Sequence, residues 1–141
     1  MQESVLRVVD ANANRSREGL RVLEDVARFV LNDEALRAMA KRCRHEVTRC
    51  VTALRADASR LEAARESEGD VGRAGFGGDE HRREAVEEIV RANAHRVQEA
   101  LRVLEEFSKL DSEGIASQLK ELRYSVYTLE KELILRLGGR S

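Results

Sequence analysis

Apolar residues recur at helical spacing along almost the whole chain. Val5, Val8, Val9, Gly19, Leu23, Val26 and Val30 fall on one stripe at 3.6-residue periodicity. Leu36, Met39, Cys43, Val47, Cys50 and Leu54 form a second stripe. Val86, Ile89, Val90, Leu101, Leu104 and Phe107 form a third, and Leu119, Leu122, Val126, Leu129 and Leu133 a fourth. Between the first two stripes stands Asn32-Asp33, and between the last two Asp111-Ser112 with Gly114 behind it. Such residues stop one helix and cap the next. The run from Ser59 to Glu62 reads as a capping box, predicting that the second helix breaks near Ala58 and restarts as a short one. Gly69, Gly72, Gly75, Gly77 and Gly78 crowd the stretch Glu66–Asp79, which reads as a long connecting loop.

The chain contains itself twice. VVDANANRSREGLRVLE, from Val8 to Glu24, returns as IVRANAHRVQEALRVLE, from Ile89 to Glu105, at a constant offset of 81 residues, as between Val9 and Val90. A weaker echo relates Lys41–His45 to Lys120–Tyr124 at an offset of 79, as between Arg44 and Arg123. The unit is therefore a helical hairpin present twice. One all-α domain over 1–141 is expected, a four-helix bundle with pseudo-twofold symmetry. Its repeats cover about 3–65 and 80–137, and the glycine-rich loop covers 66–79.

Composition agrees. Pro is absent among 141 residues, and Trp with it, so the helices are long and the core is aliphatic. The net charge of −1 offers no field for nucleic acid or an anionic membrane, and neither partner is expected. The 25 basic residues are 21 Arg and 4 Lys, which a GC-rich genome or phosphate recognition would each produce. Cys43 and Cys50 lack a CxxC or His companion and read as small core residues in a reducing compartment. No stretch reads as a signal peptide or a membrane span, so a soluble, cytoplasmic protein is expected.

Candidate chemistry lies where polar residues interrupt the apolar stripes. Asn12 sits mid-stripe, within about 60° of Val5, Val9 and Leu23 at 100° per residue. Arg15 follows one turn on, and Gly19 after it leaves room for a bulky neighbour. Asn93, Arg96 and Ala100 repeat the arrangement, with Glu18 and Glu99 within i,i+3 reach of the two arginines. In the plainer account the asparagines bond each other or a backbone carbonyl and fix helix register, while each Arg pairs with its Glu. In the functional account these side chains line a polar pocket between the first and third helices. Arg44 and Arg123 could add two phosphate forks or lie along a solvated edge. Arg21 and Arg102 point away from the stripe, toward surface pairing. His45, His81 and His95 show no metal spacing. Gly69-Asp70-Val71-Gly72 could bring a carboxylate and backbone N–H groups to a phosphate, or serve as a plain connector. No GxxxxGK[ST] or GxGxxG motif is present.

The run from Asp10 to Asp25 with Ala27–Val30, the loop Gly69–Gly72, the second copy from Ala92 to Glu106, and Leu122-Arg123-Tyr124 together resemble one family. It is the small helical hydroxymethylpyrimidine-phosphate kinase domain of thiamine biosynthesis, often fused ahead of a thiamine-phosphate synthase barrel. The resemblance covers Leu6 to about Leu135. It departs from the family pattern at Arg65-Glu66, where Asp commonly follows the Arg. With Ser141 last where a fused synthase would begin, it implies a stand-alone protein or an excised domain.

The resemblance implies an ATP-dependent phosphomethylpyrimidine kinase using Mg²⁺ and converting hydroxymethylpyrimidine phosphate to the diphosphate. Arg15, Arg96 and Asp70 would be catalytic. Asn12, Asn93, Glu18, Glu99, Arg44, Arg123 and Gly72 would bind substrate and nucleotide. Glu18, Glu99 and Asp70 would hold the metal. Phosphoryl transfer asks mainly for positioning and charge neutralisation, which such side chains supply. The alternative is a non-catalytic helical domain that binds a nucleotide or metabolite and regulates a partner thiamine-phosphate synthase. A homodimer is compatible with either.

Overall fold

The computed structural model describes residues 2–54 and 85–139. Four α-helices account for nearly all of them: α1 (Glu3–Asp25), α2 (Glu34–Leu54), α3 (Val86–Ser108) and α4 (Glu113–Gly138), with no strand among the described residues. The capping pattern at Ser59–Glu62, the loop Glu66–Asp79 with Asp70 and Gly72, and His81 all lie outside the described residues.

Each helix touches two others: α1 packs on α2 and α3, and α4 on α3 and α2. Neighbours run antiparallel. Arg136 near the end of α4 reaches Asp33 before α2, while Arg49 near the end of α2 reaches Gln118 early in α4. The core is aliphatic, with Val9, Leu20, Val97, Leu101, Leu129 and Leu133 sealed from solvent. Removing any one of these leucines to Ala would cost about 2–5 kcal/mol. The buried face of α1 is broader than the sequence stripe. Leu6, Ala13 and Leu20 are fully buried, whereas Val5 and Val8 are only half-buried. A helix pressed by two neighbours buries more than one narrow row.

The hairpin turns fall where the cap residues predicted. α1 ends in a π-helical turn, Val26–Val30, that the periodicity did not foretell. There Leu31 N–H donates to the Val26 carbonyl at 3.0 Å and Asp33 N–H to the Ala27 carbonyl at 2.8 Å. Asn32 takes a left-handed φ of 52°, which Asn tolerates better than other side chains. Asp33 Oδ1 then accepts from Leu36 N–H at 3.0 Å, capping α2. At the other hairpin Ser112 Oγ accepts from Ile115 N–H at 3.2 Å and caps α4.

Candidate functional site

At Gly19 the first and third helices are in direct contact. A Cβ built on Gly19 would lie 2.5 Å from Val97 Cγ2 and 3.1 Å from the Asn93 carbonyl oxygen. Gly19 therefore lets α1 and α3 approach, and Val97 takes the space the sequence had reserved for a ligand. Ala100 is likewise buried.

The asparagines flank this seam and satisfy themselves locally. Asn12, 5% exposed, donates Nδ2–H to the Val8 carbonyl at 2.9 Å, and Arg15 Nη1 donates to its Oδ1 at 3.4 Å. Asn93, half-buried, donates to the Ile89 carbonyl at 2.9 Å. Arg15 is exposed. Arg96 pairs not with Glu99 of its own helix but with Glu18 of α1, at 3.8 Å. Glu99 lies 3.4 Å from His95. The two halves thus meet through Arg96 and Glu18, both largely solvated, where such a pair contributes little.

Arg44 and Arg123 are not on a solvated edge. Each turns inward to a buried carboxylate at repeat-related positions of α1 and α3. Arg44 Nε donates to Glu24 at 3.0 Å, and Arg123 Nη2 donates to Glu105 at 3.2 Å. Both carboxylates are less than a tenth exposed. A second arginine closes each cluster from outside, Arg21 at 3.7 Å from Glu24 and Arg102 at 3.3 Å from Glu105. Burial works against the Arg123 charge, but hydrogen bonds to Glu105 and Tyr127 outweigh it and hold its pKa above the usual arginine value. Glu24 and Glu105 escaped the sequence reading because each looks like one more polar residue beyond a Leu. Their signal was identity across the repeat at the same distance from Arg21 and Arg102.

One arginine cluster opens onto a groove. Between α3 and α4 lies a space of about 380 Å³ lined by His95, Gln98, Glu99, Arg102, Val103, Arg123 and Tyr127. Gln98 is tied to Glu130 by a 3.1 Å hydrogen bond. Arg102 also reaches Glu106 at 3.0 Å. Arg123 Nε is buried without a hydrogen-bond partner, so its guanidinium is only partly committed. Of the residues singled out from the sequence, the groove gathers Glu99 and Arg123. It does not gather Asn12, Asn93, Arg15, Arg96, Glu18 or Arg44, while Asp70 and Gly72 lie outside the described residues. Among the described residues no three His, Cys, Asp or Glu side chains come together as a metal site. Glu18 and Glu99, the expected Mg²⁺ ligands, stand beside Arg96 and His95, and the third, Asp70, lies outside the described residues. No described helix is long and apolar enough to cross a membrane.

The profile of the ThiD2 family matches residues 7–132. Among curated proteins the chain is similar to the thiamine-phosphate synthase of Nostoc punctiforme, 43% identical over 134 residues, covering 95% of this chain and 36% of that one. It is 39% identical over 136 residues to that of Rhodopirellula baltica, covering 96% of this chain and 36% of the relative. With that of Gloeobacter violaceus the identity is 43% over 129 residues, covering 92% and 36%. The chain spans about a third of the length of these relatives. No solved structure matches it. The relatives' names correct the expectation of a phosphomethylpyrimidine kinase, because they denote an enzyme of a different reaction. The chain belongs to the ThiD2 family, and through it to thiamine biosynthesis.

Proposed function

We propose that the chain is a metabolite-binding helical domain that partners a thiamine-phosphate synthase and holds a phosphorylated pyrimidine in the α3/α4 groove. One observation carries this reading: the groove joins two arginines, an amide, a carboxylate and an aromatic ring around about 380 Å³ of space, while at Gly19 the α1/α3 seam is filled by Val97. Arg102, more than half exposed, is the arm that can leave Glu106 for a phosphate. Arg123, fixed by Glu105, supplies a positive wall behind it. Tyr127 offers a ring face to a heterocycle, and Gln98 and Glu99 offer hydrogen-bonding groups to its edge. Hydroxymethylpyrimidine phosphate has both parts. The relatives named thiamine-phosphate synthase, which carry this domain within a longer chain, support the partner. The repeated Glu–Arg clusters support reading the bundle as two hairpins related by an approximate twofold.

Isothermal titration with hydroxymethylpyrimidine phosphate and with its unphosphorylated form tests the site, with and without ATP and Mg²⁺. Binding of the phosphorylated form is expected, weakened at least tenfold by Arg102→Ala and by Tyr127→Leu, with circular dichroism reporting that both variants stay folded. Equal binding by wild type and both folded variants, or no binding under any of these conditions, rejects the groove as the site.

A further inference from the structure

Gln98 enters the α3/α4 groove with its amide held one way round. The side chain is buried, and its Nε2 donates to Glu130 Oε1 at 3.1 Å. A carboxylate only accepts, so the amide nitrogen must face Glu130, and the reverse orientation would set oxygen against oxygen. Gln98 Oε1 is thereby turned away from Glu130. Among the described residues it has no hydrogen-bond partner, and it is not one of the atoms sealed from solvent without one. The space open to it is the groove that Gln98 lines.

The duplicated fold does not need this pair. In the first half Arg17 stands for Gln98, and the buried Val51 stands for Glu130. A half-buried carboxylate where the other half has a core valine costs desolvation, and what it does here is hold the amide. Glu99 lines the same groove and adds a second acceptor, 69% exposed. His95, the remaining polar side chain at this end, stands 3.4 Å from Glu99. The cations lie toward the other end. Arg102 is one turn beyond Gln98 on α3, about 6 Å at 1.5 Å per residue. A phosphate held by the arginines therefore brings the far edge of an attached six-membered ring to the amide.

We infer that the groove selects a phosphorylated heterocycle whose ring edge carries an exocyclic amino group, with Gln98 as the specificity-determining residue and Glu130 as its positioning residue. This rests on the α3/α4 groove being the ligand site. An NH₂ group has two N–H donors, one for Gln98 Oε1 and one for Glu99. An oxo group at the same place sets an acceptor against two acceptors and gains neither bond. A site built to bond a substrate N–H rejects the analogue that lacks it, because its own polar groups are left unpaired.

Isothermal titration with hydroxymethylpyrimidine phosphate, an aminopyrimidine, and with its 4-oxo analogue tests this. Wild-type protein is expected to bind the amino form more tightly by about tenfold or more. Glu130→Gln offers the amide a partner of either kind, so Gln98 can turn its Nε2 to the groove. The preference should then shrink to about threefold or less. Glu130→Val carries the first-half residue, removes the partner and should act alike. It decides the matter if circular dichroism shows Glu130→Gln unfolded. Arg102→Ala should weaken both ligands and leave their ratio unchanged, which separates the phosphate contact from the ring edge. Equal binding of the two ligands by wild type, or a full preference in a folded Glu130 variant, overturns the inference and leaves the groove standing as the phosphate site. Binding of neither ligand overturns it together with the groove.

Discussion

The α1/α2 and α3/α4 hairpins hold the same ionic cluster and surround it differently. In the first, Glu24 is gripped by Arg44 and Arg21; in the second, Glu105 is gripped by Arg123 and Arg102. Arg44 commits its Nε to the carboxylate, whereas Arg123 uses Nη2 and leaves its Nε unpartnered. Around the first cluster, Arg17 ties Asn14 at 2.5 Å to Thr48 at 3.4 Å. At the repeat-related positions of the second stand Gln98, His95 and Tyr127, which line the groove instead. Gln98 turns to Glu130, whose counterpart in the first half is the buried Val51. A duplicated framework has kept its buried charges and changed the residues in front of them. Shared residues mark what the fold needs, and the differences mark where recognition can differ.

If the two clusters are equivalent in the fold, Glu24→Ala and Glu105→Ala should destabilise alike, each by about 3–5 kcal/mol, because each strands a largely buried arginine. Urea unfolding measures this, and a gap above about 2 kcal/mol, well outside the scatter of such measurements, breaks the equivalence. The seam should respond unequally. Gly19→Ala must push against Val97 and the Asn93 carbonyl and should cost about 1–3 kcal/mol. Its repeat counterpart, Ala100→Gly, only loses helix propensity and a methyl contact, about 1 kcal/mol.

The smallest contrast lies in the thiols. Cys43 and Cys50 occupy the first-half places of Leu122 and Leu129, and burial pushes each thiol up to about 11 from 9.0. The native state therefore holds these protons more tightly than the unfolded chain. That contribution is complete below pH 9 and is lost as pH rises through 11. At pH 9 the effect is only about 0.4 kcal/mol per thiol. Ellman's reagent at neutral pH should find both thiols unreactive until the protein unfolds, and fast reaction of either would show its half of the core to be open.

Much of this was legible along the chain, and the parts that were not share a cause. Helix positions and turns followed from periodicity and from Asn32-Asp33 and Asp111-Ser112, because capping and amphipathicity are local. The π-helical turn at Val26–Val30 escaped, since it is set by how α1 meets α2. Asn12 was placed inside, and of the two accounts left open for it the backbone one is met by its own Val8 carbonyl. Gly19 looked like room for a guest and is room for Val97.

The sequence by itself determined that this chain is helical, duplicated, and paired in its buried polar residues, since periodicity and repetition are properties of order along a line. Only the tertiary structure decided which arginine meets which carboxylate, that Val97 fills the α1/α3 seam at Gly19, and that a groove opens between α3 and α4. Those outcomes depend on the distance and rotation between helices, which side chains far apart in the chain settle by packing against one another.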